Sequence, residues 1–145
     1  MTDNDKKPSI LIIDDNSVQL VTLGRILSQL YDVRMASGGK EGLQRACDNV
    51  DLILLDLFME DMSGFDVISK LKQSEKTASI PVIFVTGSDS AQDEKHGLAL
   101  GAVDYIRKPF NEVIVLLRVE LHLRLVALTR IIEKHGLMDE LTRNI

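Results

Sequence analysis

The chain has 145 residues, a net charge of −5 and 45% apolar residues, enough for one hydrophobic core and too few for two ordinary domains. No Lys/Arg cluster opposes the acidic balance, so direct binding of nucleic acid is not expected. The polar opening MTDNDKKPS lacks an apolar leader segment, and no apolar run reaches the ~18 residues of a membrane span, so a cytoplasmic location is expected.

The first strand-length apolar run is SILIID (9–14), which ends in Asp14 and Asp15. A helix follows, with Val18, Val21, Ile26 and Leu30 at helical spacing, and either acid could cap it near Ser17. The second run, DVRMA (32–36), ends in Ala36 and Ser37 without a comparable acid. Leu43 and Ala46 mark the next helix, where Cys47, the only cysteine, reads as a small hydrophobe. A single cysteine excludes an internal disulfide and a cysteine-rich metal site.

The third run, DLILLD (51–56), ends in Asp56; beyond it Gly64 opens a helix carrying Phe65, Ile68 and Leu71. PVIFVTG (81–87) carries Thr86 at its end, Leu98 and Ala99 mark a fourth helix that Gly101 ends, and VDYIRKP (103–109) ends in Lys108 and Pro109. Tyr105 alternates with buried positions on this strand, as plain packing would have it. From Asn111, a suitable N-cap, to Lys134 no Gly or Pro interrupts until Gly136, which predicts ~23 residues and ~35 Å of helix. Leu117, Leu121, Leu125, Leu128 and Ile132 form one apolar stripe, Leu116, Val119, Leu123 and Val126 a second. Beyond about residue 125 these have nothing in the domain to cover. His96, His122 and His135 share no ligand spacing, and none is assigned to a metal.

Strand and helix alternate throughout, and the strands show little polar alternation, which suits a parallel sheet covered on both faces. A doubly wound α/β domain is the simplest closure. Its ligand crevice lies beyond the carboxyl ends of the strands, so Asp14, Asp15, Asp56, Thr86 and Lys108 converge on one rim. Singly, each suits a cap or a strand end. Together, three acids repel unless a cation is present, and oxygen-only ligands favour Mg²⁺. A carboxylate beside Mg²⁺, with an ammonium and a hydroxyl opposite, can accept a phosphoryl group.

These residues, with DLFMEDMSGFDVI after the third strand and LALGAVDYIRKPF near the end, resemble the receiver domain of two-component response regulators over roughly residues 8–125. The resemblance implies a flavodoxin-like (βα)5 fold with a five-stranded parallel sheet of order 2-1-3-4-5. It also implies Asp56 as phosphoacceptor for the phosphohistidine of a sensor histidine kinase or phosphotransfer protein. Asp15, Asp56 and the Phe58 carbonyl would hold Mg²⁺ directly, and Asp14 through water. Thr86 and Lys108 would contact the phosphoryl group, Tyr105 would turn inward as Thr86 moves, and Lys108–Pro109 would be cis. The output would be a changed face formed by the fourth helix, fifth strand and fifth helix.

Two positions depart from the family pattern: Glu60 stands where many receivers have Pro, and Gly87 where Ala is usual. In the family, Phe58 and Ser88 would flank the path of the hydrolytic water. The division expected is a receiver domain over 1–125 and a helical extension over 126–145 that pairs with a second copy or continues into an output domain. MDELTRNI resembles the D-x-L-T opening of diguanylate cyclase domains at Asp139, Leu141 and Thr142, pointing to a cyclic-di-GMP-related output. Beyond self-phosphorylation and autodephosphorylation, no enzymatic activity is expected. Two other readings are a phosphorylation-independent interaction module and an aspartyl-nucleophile phosphatase. The phosphatase would ordinarily carry a D-x-D pair where Asp56 is followed by Leu57 and Phe58.

Overall fold

The structure, a computed structural model, describes residues 6–47 and 49–135. Gly136 and the D-x-L-T match at Asp139, Leu141 and Thr142 lie outside them. Five strands, β1 (Ser9–Ile13), β2 (Asp32–Ala36), β3 (Leu52–Leu55), β4 (Val82–Thr86) and β5 (Asp104–Arg107), alternate with α1 (Ser17–Leu27), α2 (Gly39–Arg45), α3 (Gly64–Gln73), α4 (Ala91–Ala99) and α5 (Glu112–Lys134). Each strand falls within its predicted run. The strands pair in parallel in the order β2-β1-β3-β4-β5, the flavodoxin-like arrangement.

Successive strand side chains point to opposite faces, and both faces are covered. Ile10, Ile12, Leu52, Leu54, Ile83, Val85 and Ile106 meet Leu20, Leu23 and Leu27 of α1 and Val115 and Val119 of α5. Leu11, Ile13, Ile53, Leu55, Val82 and Phe84 meet Val67, Ile68 and Leu71 of α3, with Leu43 and Ala46 of the α2 region against them. Burying each such side chain contributes about 1.5–3 kcal/mol. Cys47 packs against this second cluster but follows α2 rather than lying within it. No described helix is long and apolar enough to cross a membrane.

Three helices present faces other than those predicted. In α1, Val18 and Val21 are exposed, because Thr22 and Arg25 break their stripe while Leu20, Leu23, Gly24 and Leu27 continue theirs. Leu30 lies past the helix end and is also exposed. The N-cap is Asn16, whose side chain accepts from the Gln19 N–H at 3.1 Å, so neither Asp14 nor Asp15 caps this helix. In α4, Leu98 and Ala99 are exposed and only Gly97 is buried. A Cβ there would come within 2.8 Å of the Phe84 ring, so the helix approaches the sheet through its lack of a side chain.

Helix α5 covers the predicted length and begins at Asn111, whose side chain accepts from the Val113 N–H at 2.7 Å. Its core face is the second stripe: Val119 is buried, and Leu116, Leu123 and Val126 are partly so. The first stripe faces solvent from the start of the helix. Leu117, Leu121, Leu125 and Leu128 are 55%, 49%, 48% and 54% exposed, so the uncovered surface begins well before residue 125. Only Ile132, at its far end, is partly covered.

Candidate functional site: an acidic rim at the carboxyl ends of the strands

Sheet hydrogen bonds carry the chain one residue past the ends of β1 and β3 and so place the acids. The Asp14 N–H donates to the Ala36 carbonyl at 3.1 Å and the Asp56 N–H to the Ile13 carbonyl at 2.9 Å. On the other side of β4, the Lys108 N–H donates to the Thr86 carbonyl at 2.8 Å, and the following Lys108–Pro109 peptide is cis. Asp14, Asp15, Asp56, Thr86 and Lys108 therefore meet at one rim, as their strand-end positions predict. Asp14, Asp56 and Thr86 are buried there, and Asp15 is exposed.

The loop after Asp56 is pressed against the start of α3. Gly64 donates its N–H to the Leu57 carbonyl at 2.8 Å, and a Cβ at Gly64 would lie 2.4 Å from the Asp56 carbonyl oxygen and 2.9 Å from Leu57 Cα. Glycine is required by this approach, a stronger constraint than helix opening. Ser63, whose hydroxyl accepts from the Asp66 N–H at 3.2 Å, caps the helix.

Lys108 Nζ lies 3.0 Å from Asp14 Oδ2 and 3.7 Å from Asp56 Oδ1. Asp56 Oδ1 also accepts from the Leu57 N–H at 2.9 Å, and Asp14 Oδ1 from the Asn16 N–H at 2.9 Å. Burial first, and the Asp14 carboxylate second, push the Asp56 carboxyl up to about 6, against the pull of Lys108, the Leu57 N–H and the Thr86 hydroxyl. One ammonium thus leaves three acids under-neutralised.

A carboxylate oxygen from each of Asp14, Asp15 and Asp56 lies within 4.8 Å of the other two, close enough for one cation to touch or bridge all three. The three acids offer carboxylate oxygens beside the Lys108 ammonium, and the Asp14 carboxylate, after burial, adds to the raised Asp56 affinity for a proton. The residues fit a hard divalent ion such as Mg²⁺. The Phe58 side chain beside the site is 60% exposed.

Tyr105 is buried, its ring 6.1 Å from that of Phe84. Its hydroxyl is buried near Ser88 without a well-formed hydrogen bond, and burial raises its pKa. The Ser88 hydroxyl donates instead to Asp93 Oδ2 at 2.7 Å.

Sequence reading missed three contacts, two beside this rim and one at the amino end of β5. The Asp61 carboxylate accepts from the N–H groups of Gly39, Lys40 and Met62 at 3.1, 2.9 and 3.0 Å, which lowers its pKa and caps α2 from another loop. The Glu60 N–H donates to Asp15 Oδ2 at 2.8 Å. On the far side of β5, Asp104 accepts from Arg118 at 2.8 Å and lies 2.9 Å from His122 Nε2. Burial raises the Asp104 pKa, but the bonds from His122, the Tyr105 N–H and Arg118 outweigh it and hold the group below its ordinary value. An aspartate six residues past the end of β3 and a helical Arg/His pair were the only sequence signals.

The chain matches the response regulator receiver domain over residues 10–120 and belongs to that family, the phosphorelay switches of two-component systems. Among similar proteins, the "Probable cyclic di-GMP phosphodiesterase" of Vibrio cholerae is 40% identical over 80% of this chain and 26% of its own length. "Response regulator PleD" of Caulobacter vibrioides is 38% identical over 76% of this chain and 25% of its own length. The chain thus spans about a quarter of these relatives. A CheY-like receiver domain protein from Methanospirillum hungatei superposes with a TM-score of 0.78 at 29% identity, covering 84% of this chain and 98% of that one.

Proposed function

We propose that Asp56 is the phosphoacceptor of a signalling switch. A carboxylate oxygen of Asp56 attacks the phosphorus of a phosphohistidine on a sensor histidine kinase or phosphotransfer protein; the N–P bond breaks and the departing imidazole takes a proton. The observation that carries this is the placement of a buried, charge-poor carboxylate 3.7 Å from the Lys108 ammonium. Lys108 and the Thr86 hydroxyl are disposed to bind phosphoryl oxygens as they carry more charge. Asp15, Asp56 and the Phe58 carbonyl would hold Mg²⁺ directly and Asp14 through water; when bound, the ion neutralises phosphoryl charge and relieves the repulsion between the acids. The switch later resets when water attacks the phosphorus and the bond to Asp56 breaks, releasing inorganic phosphate. No other substrate is turned over.

The phosphoryl group recruits Thr86, and Tyr105, already inside the protein, is held there, so the state of Asp56 is read on the face formed by α4, β5 and α5. The receiver ends near residue 125, and α5 beyond it pairs with a second copy or leads to an output domain. The name of the Vibrio cholerae relative and the D-x-L-T match favour a cyclic-di-GMP-related output in the cytoplasm. Intact-mass measurement after incubation with acetyl phosphate and Mg²⁺ tests the reading: one added phosphoryl group is expected in the parent and none in Asp56→Asn. Equal labelling of both would place the acceptor elsewhere.

A further inference from the structure

The loop between β3 and α3 is held at two successive residues. The Asp61 carboxylate grips the start of α2 through the Gly39 and Lys40 N–H groups. One residue earlier, the Glu60 N–H points the other way and donates to Asp15 Oδ2 at 2.8 Å, across 45 positions of sequence. Asp15 is exposed and follows β1 on an irregular segment, where a free aspartate samples several rotamers. Asp14 and Asp56, by contrast, are buried and held by Lys108 and their neighbouring N–H groups. Asp15 is therefore the member of the acidic rim whose orientation depends on this one contact. A proline at position 60 has no N–H and removes it.

We propose that Glu60 is a positioning residue: its backbone N–H, presented by the loop that Asp61 anchors, holds the Asp15 carboxylate turned toward Asp14 and Asp56 and so raises the affinity of the rim for a divalent cation. This rests on the metal reading above. Donors that orient a metal-binding side chain change metal affinity by about 10–100-fold when removed. The Glu60 carboxylate is a separate contributor. It lines, with Asp15, Lys40, Glu41 and Asp61, an open pocket of about 610 Å³, and its charge acts on a bound cation only through solvent.

The test compares Glu60→Gln, which keeps the N–H and loses the charge, with Glu60→Pro, which loses both. The Mg²⁺ dissociation constant is read from backbone amide shifts in ¹H–¹⁵N spectra of the whole chain, without any phosphodonor. Glu60→Pro is expected to bind Mg²⁺ about tenfold more weakly than Glu60→Gln, with Glu60→Gln close to the parent. A difference under about threefold between the two variants overturns the proposal. Should Glu60→Pro fail to fold, the peptide N–H of residue 60 is replaced by an ester oxygen through semisynthesis, and the ester protein is held to the same threshold against the parent. A parent whose amides do not respond to tens of millimolar Mg²⁺ overturns the metal reading itself and this proposal with it.

Discussion

Asp56 holds a proton more tightly in the folded protein than in the unfolded chain, because burial and Asp14 raise its pKa to about 6 from 3.8. Between those two values the native state carries more of this proton, so stability falls as pH rises through the window and levels off above it. In Mg²⁺-free buffer, melting temperatures of the parent should drop relative to Asp56→Asn between about pH 4 and pH 6. Above pH 7 the Asn variant should be more stable by about 1 kcal/mol, allowing for solvent screening of a partly accessible site. A parent–variant gap independent of pH would mean that Asp56 feels no such field. Mg²⁺ acts on the same repulsion from the other side. At tenfold its dissociation constant it should add about 1.4 kcal/mol by mass action, measurable as a rise in melting temperature, and Asp15→Ala should remove most of that gain.

The close approach of α3 to the Asp56 loop makes Gly64 a position where backbone geometry and the site coincide. Gly64→Ala forces a Cβ to within 2.4 Å of the Asp56 carbonyl, and neither backbone segment yields readily. A loss of about 1–3 kcal/mol in urea unfolding is expected, together with reduced phosphoryl uptake as the Asp56 loop shifts; unchanged stability would mean that α3 slides freely. Helix α4 is the opposite case, since only Gly97 is buried and little apolar surface anchors it. Elements held this lightly open locally at low cost, which makes α4 the part of the face most able to respond. Thr86→Ala should still accept a phosphoryl group, because Asp56 and Lys108 remain, but transmit it poorly. Hydrogen exchange with a phosphoryl mimic should show altered protection around α4 and Tyr105 in the parent and little in the variant; identical profiles in both would sink the Thr86 route.

The whole molecule carries an apolar stripe on α5, running from Leu117 to Leu128 at about half exposure on the side of the helix turned away from the sheet. A second copy would cover it most simply, as two-stranded coiled coils do. Leu125→Glu with Leu128→Glu should then weaken a dimer by at least about a hundredfold, since each buried leucine contributes about 1.5–3 kcal/mol. Phosphoryl uptake should persist, because both positions lie on a helix far from the rim. Sedimentation of parent and variant at matched micromolar concentrations, with and without acetyl phosphate, reads this out. A parent that stays monomeric in both states would assign the stripe to an output domain instead.

Short apolar runs determined the five strands by themselves; β1, β3 and β4 are unbroken because they are buried on both faces, whereas the edge strands β2 and β5 carry Arg34 and Arg107 where they meet solvent. These runs also determined the rim: in a parallel sheet every strand ends on the same side, so Asp14, Asp15, Asp56, Thr86 and Lys108 had to meet. Helix faces were legible only where one stripe was continuous, as in α3. In α1, Val18 and Val21 competed with Leu20, Leu23 and Leu27, and in α4 the residue that mattered was Gly97, which carries no side chain to read. Tertiary structure alone decided the contacts between loops. Asp61 reaches α2 across 22 positions and Glu60 reaches Asp15 across 45; each depends on strand order, register and the aim of a single backbone N–H. Local periodicity reports which face of an element is buried, whereas a bond between two loops exists only once the sheet beneath them has fixed their distance and direction.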